Sequence, residues 1–476
     1  RRRRRRHRWG RLEALFIRAS RSLILGPILT ALSGFVATVP LLLNVFLPRF
    51  SLRARGTLRR LLLPEVQTQL TESRASEARA AATAGMMSGF TMEEKAARVA
   101  TLLENIGLVR DFAPIVAILG HDSSSVNNPH FAAYSCGACG GRSGGPNARL
   151  VARMANRPEV RALLRQRGID IPDGTLFVGG VHDTCVDAIT LYDAAVPPER
   201  RAELAELLAC IEDARRRNAH ERVRRFASAA EDLSADEALA HVQVRGADLG
   251  QARPELGHAT NASCVVGRRA LTRGLFLDRR AFLVSYDPTV DSRPEARGAI
   301  LERTLLAVGP VGAGINLEYF FSSVDNERLG AGTKLPHNVT GLVGVMNGAG
   351  SDLRTGLPKQ MIEIHEPVRL HLILESPLDI VLGIVERQPS VAELVRNEWV
   401  RVATVDPTSG AIHVFDPRRG FVPWQPPPSQ AEVPTAPSSV RWYHGHRDFI
   451  PPAIIRPGGP GGPGTPGTAG AEGGRP

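Results

Sequence analysis

The chain has 476 residues, enough to bury a sizeable core, and its 43% hydrophobic and 22% charged content is ordinary for a globular protein. The net charge is +11, but Arg1 to Arg6 and Arg8 carry seven positive charges between them, so the remainder is only mildly basic. Aromatics at 5%, with no basic stripe interleaved among them, argue against nucleic-acid binding; five cysteines are too few, and odd in number, for a disulfide framework.

The first residue is Arg, so the chain reads as a fragment whose start lies upstream. Residues 1–21 form a basic end, expected to be solvated and disordered. Residues 22–90 form a hydrophobic and helical segment. Within it, residues 22–48 carry no charge and are long enough to cross a bilayer. Gly26, Pro27, Gly34, Pro40 and Asn44 interrupt that run. It is therefore expected not to span, and to serve instead as a membrane or partner contact or as part of the core. Residues 70–86 read as an exposed helix or linker.

Residues 91–424 read as one α/β domain, with Pro/Gly-rich disorder expected over residues 425–476. Thr91 and Glu94 have the spacing of a capping box, opening a helix that stops at Gly107. Residues 114–119, PIVAIL, and 175–180, TLFVGG, are short apolar runs ending in glycine, the pattern of buried strands feeding loops. A helix is expected over residues 149–167 and charged helix over 195–240. Further strands are expected at 282–286, 362–364 and 369–374. The alternation is that of an α/β fold with a mixed or parallel sheet and helical insertions.

The densest chemistry lies in residues 120–149, GHDSSSVNNPHFAAYSCGACGGRSGGPNAR. His121 follows an apolar strand directly, at the end where parallel sheets open a crevice. Imidazole and thiolate are zinc ligands, and Asp122, His130, Cys136 and Cys139 lie close by in sequence. By itself Cys136-Gly-Ala-Cys139 fits a metal site, a redox pair, half a zinc ribbon or small buried thiols in a tight turn. Cys185-Val-Asp187 has the form Cys-x-Asp and reads as a chance match.

The run from His121 through SSSVNNPH to CGACGGRSGGPNAR resembles the DabA family. So do TLFV with His182-Asp183-Thr184, FLVSYD at 282–287, and the stretch GINLEYFFSSVDNERLGAGTKLPHNVTGLVGVMNG with SDLRTGLPKQ and HEPVRL after it. These blocks follow the family's order from about residue 102 to 399. The resemblance implies a β-carbonic-anhydrase-like core and a zinc site with four protein ligands. Two would come from an upstream Cys-x-Asp motif, for which no cysteine is present before His121; the other two match His121 and Cys136. Cys139 is then a loop residue. Asp122 stands where the family usually has glycine, and His337, Asn338, Asp352 and Arg354 read as turn chemistry. The implied function is zinc-dependent hydration of CO2 to bicarbonate, coupled to a DabB-like membrane subunit, in a protein peripheral to the cytoplasmic side of the cell membrane. A stand-alone zinc enzyme and a non-catalytic interaction subunit are the alternatives.

Overall fold

The computed structural model describes residues 2–47, 89–124, 142–192, 196–246, 261–310, 368–427 and 432–456, with isolated positions between them. The basic end is helical: α1 is Arg2–Ser20, followed after a short turn by α2, Leu25–Phe46. The prolines do not break α2. Pro27 falls in its first turn, where an N–H would be unpaired anyway, and Pro40 is carried inside the helix. Nor is α2 core: only 6% of its most apolar stretch, Leu25–Leu43, is buried, and that stretch is long and apolar enough to cross a membrane by length and composition. Helices α1 and α2 meet near the turn, where Gly26 lies against the Ser20 carbonyl.

The capping box forms as its spacing predicts. Thr91 Oγ1 accepts the Glu94 N–H at 3.2 Å, and the Glu94 carboxylate accepts the Thr91 N–H at 2.9 Å. They open α3, Met92–Asn105, which buries Ala96, Val99, Ala100 and Leu103 along one face. Removing Val99 and Leu103 from water stabilises the packing by about 1.5–3 kcal/mol each. Gly107, at φ +73°, ends the helix.

The next two apolar runs become parallel strands β1, Ile115–Asp122, and β2, Leu176–Asp183, and each extends through the His-Asp that follows it. Between them lie α4, Gly145–Ala155, and α5, Pro158–Arg165. One helix was expected there; Pro158 instead starts a second, because the residue before a proline is pushed out of the helical region. Gly179 is glycine because α4 crosses β2 there: a Cβ would lie 2.5 Å from Arg149 Cα. The strand β3, Ala188–Leu191, pairs antiparallel with β2, so that among the described residues the sheet has the order β1-β2-β3.

The charged region is two helices, α6, Arg201–Val223, and α7, Ala235–Arg245, and not one. A second sheet has the order β10-β9-β8-β7-β4-β6, with β4 Ser263–Gly267, β6 Ala281–Ser285, β7 His371–Glu375, β8 Arg401–Val405, β9 Ile412–Asp416 and β10 Gly420–Pro423. Cys264, Val266, Leu372, Leu374 and Val402 from its strands meet Val381, Ile384, Val391 and Val395 of α8, Leu378–Arg387, and α9, Pro389–Arg396. The expected single domain thus holds two sheets with separate cores. Val109 packs against both cores, and Arg110 pairs with Asp287 at 3.0 Å.

Residues 432–456, expected to be disordered, add β11, Thr435–Ala436, β12, Ala453–Ile455, and the short helix α10, Ser439–Tyr443. β12 pairs with β5, Leu275–Phe276, and buried Phe276, Tyr443, Ile450 and Ala453 pack together. The expected strand at 362–364 and the low-complexity residues 457–476 lie outside the described residues.

Candidate metal centre

Strands β1 and β2 run in register from Ile115 opposite Leu176 to Asp122 opposite Asp183, so His121 lies opposite His182. Register partners on neighbouring strands share a face of the sheet. Two imidazoles therefore stand together at the carboxyl ends of two parallel strands. His121 is exposed and His182 half-buried. The sequence held a signal for this: both strands end in His-Asp, as LGHD and GVHD. From the sequence, the first alone takes a ligand role, on the family resemblance at its position.

The chain leaves β1 and returns at the same point. The Gly144 N–H donates to the His121 carbonyl at 2.8 Å, where α4 begins. Gly120 makes that approach possible, since a Cβ on it would lie 2.3 Å from the Gly144 carbonyl carbon and oxygen. On the outgoing side the Asp122 carbonyl accepts the Thr184 N–H at 3.0 Å and the Thr184 hydroxyl at 3.2 Å. Asp122 caps the local turn: its Oδ1 accepts the Ser123 N–H at 2.8 Å.

His182 is tied to a buried carboxylate. Its Nε2 lies 2.7 Å from Asp187 Oδ1, while Asp187 Oδ2 accepts the Asn218 amide at 3.1 Å. Arg215 on α6 donates to the Asp187 carbonyl. Burial alone would raise the Asp187 carboxyl, but the hydrogen bonds from His182 and Asn218 outweigh it and hold it below the usual carboxylate range. With Asp187 ionised, its Oδ1 is the acceptor and His182 Nε2–H the donor. Asp187 adopts φ +51°, a backbone region that Asp tolerates better than most side chains.

Cys185-Val-Asp187 does not act as a ligand pair. The Cys185 thiol is buried and donates to the Gly246 carbonyl at 3.3 Å, and the Asp187 carboxylate is committed to His182 and Asn218. Cys136, Cys139 and His130 lie outside the described residues, as do His337, Asn338, Asp352 and Arg354. Among the described residues no group of three or more His, Cys, Asp or Glu side chains has the geometry to hold a metal ion. The described residues do not assemble a donor set for a metal ion.

A parallel strand pair with a histidine near the carboxyl end of each strand, flanked by helices, defines an α/β protein with a candidate site at those ends. The comparisons with known proteins say which. Residues 1–400 match the family described as "Probable inorganic carbon transporter subunit DabA", and the chain belongs to that family. It is 57% identical over 457 residues to the "Probable inorganic carbon transporter subunit DabA 1" of Sorangium cellulosum, covering 96% of this chain and 44% of the relative. It is 51% identical to the protein named "Probable inorganic carbon transporter subunit DabA" in Methylococcus capsulatus, covering 91% of this chain and 40% of the relative. The chain thus spans less than half the length of these curated relatives. No solved structure matches it.

Proposed function

We propose that the chain is the part of an inorganic carbon transporter subunit that carries half of a zinc centre, with His121 and Cys136 as ligands. The observation that carries this reading is membership of a family whose curated relatives are named as such subunits. Supporting it, His121 ends a parallel strand at the edge where crevice sites form, as in a β-carbonic-anhydrase-like core. The remaining ligand pair would come from a Cys-x-Asp motif outside this sequence. When bound, zinc would supply Lewis-acid activation of water for attack on CO2, giving bicarbonate.

The chain's own residues prepare that site. β1 presents the His121 ring. The Gly144 N–H returns the chain to the His121 main chain. Asp187 holds the neighbouring His182 ring by its Nε2. Hydration is reversible and accumulates nothing by itself, so a DabB-like membrane subunit is proposed to couple ion flow to the step. Attachment is peripheral, on the cytoplasmic side of the cell membrane.

Zinc content per chain tests the ligands. In a protein that includes the Cys-x-Asp motif, His121→Ala and Cys136→Ser should each lower bound zinc sharply, and Cys139→Ser should retain it. Unchanged zinc in the first two variants would remove the assignment, and loss in Cys139→Ser would favour a Cys-x-x-Cys site. Co-purification with a membrane subunit separates the transporter reading from a stand-alone enzyme.

A further inference from the structure

We propose that Asp183 is a positioning residue that fixes the direction in which the chain leaves His121. The inference rests on the reading that His121 holds a metal. Asp183 Oδ1 accepts two main-chain N–H groups at 3.0 Å each: that of Ser124, on the chain leaving β1, and that of Cys185, in the turn after β2. The parallel ladder between β1 and β2 ends at the row of Asp122 and Asp183. One side-chain oxygen therefore takes over where the main-chain pairing stops.

The turn that Asp183 holds is a firm base. Cys185 is tied to Gly246 beyond α7, and Asp187 to Asn218 and Arg215 on α6. Asp183 thus links the exit from His121 to a helical pair packed around Val223, Phe226, Leu239 and Val242. The return to His121 is pinned separately by Gly144. Losing the Asp183 oxygen releases the Ser124 N–H, while the Thr184 bonds to the Asp122 carbonyl and the return at Gly144 stay in place. The role needs an acceptor oxygen at that position and no charge, so asparagine should replace aspartate and alanine should not.

The test uses the full 476-residue chain as wild type, Asp183→Ala and Asp183→Asn. Hydrogen exchange is read by peptide on this chain, and zinc affinity by competition with a chromogenic chelator in the longer protein that also includes the Cys-x-Asp motif. Asp183→Ala should speed exchange in peptides covering residues 123–144 while leaving β4, β7 and β8 protected. Its zinc affinity should fall by about 10-fold or more, the usual effect of losing a partner behind a metal ligand. Asp183→Asn should match wild type in both readouts. Wild-type exchange in Asp183→Ala, or an Asp183→Asn variant as impaired as the alanine, would overturn the proposal. His121→Ala and Cys136→Ser run alongside. If they compete for zinc as well as wild type, the metal reading fails, and the exchange result still judges Asp183. If they lose zinc while Asp183→Ala keeps wild-type affinity, the positioning role fails and the ligands stand.

Discussion

At the scale of single residues, Asp187 shows how a site is stiffened from behind. Its carboxylate answers two donors, and its backbone sits at positive φ. Asp187→Asn tolerates that backbone but turns an N–H₂ toward a donor. The expected loss is about 1–3 kcal/mol of stability at neutral pH, read from the denaturant midpoint. The pH dependence has a definite sign. Because the folded carboxyl lies below its ordinary value, its contribution is complete above the unfolded value near ~3.9 and is lost as pH falls through the folded one. The gap between wild type and Asp187→Asn should therefore hold from about pH 7 to 5 and close below about pH 4. A gap that widens on acidification would contradict the assignment.

At the scale of elements, the informative contact is the crossing of β1 by the start of α4. Gly120 and Gly144 allow two backbones to touch: a Cβ on Gly120 would lie 2.3 Å from Gly144 main chain, and one on Gly144 would lie 3.0 Å from His121 main chain. Gly120→Ala should cost about 1–3 kcal/mol, the usual penalty of overpacking, because its Cβ meets main chain that has no rotamer to give. Chemical denaturation checks this; an unchanged midpoint would mean that the crossing is looser than its geometry. The same logic explains Gly179, where α4 lies on β2. In a sequence these glycines read only as turn formers.

At the scale of the molecule, the exposed α2 stands apart from the two cores. Its large exposed side chains include Leu32, Phe35, Val36 and Val39, and it is entered from a helix carrying Arg8, Arg11 and Arg18. Cations near an anionic surface contribute about 1 kcal/mol each, while apolar side chains sink into the headgroup boundary. Asn44 and the interior Pro40 disfavour full insertion. Under the proposed peripheral attachment, alkaline carbonate should release the protein from membranes. Retention in the pellet, with chain ends protected on opposite sides, would instead identify a span.

The sequence by itself determined β1, β2, β6, β7 and the start of α3, because periodicity, capping pairs and apolar runs are local signals. Thr91 with Glu94, PIVAIL and TLFVGG are each readable within a few residues. His121 was legible for the same reason, as an imidazole at the carboxyl end of a strand. Only the tertiary structure decided that His182 stands opposite it, that Asp187 is the buried partner of His182, and that Cys185 is spent on Gly246. Those facts depend on strand register and on α6, which lies about 30 residues further along the chain, and no local pattern encodes them. Burial of α2 was likewise undecidable from composition: an apolar run states what a helix would gain from leaving water, and only the packing around it shows whether this chain supplies the cover.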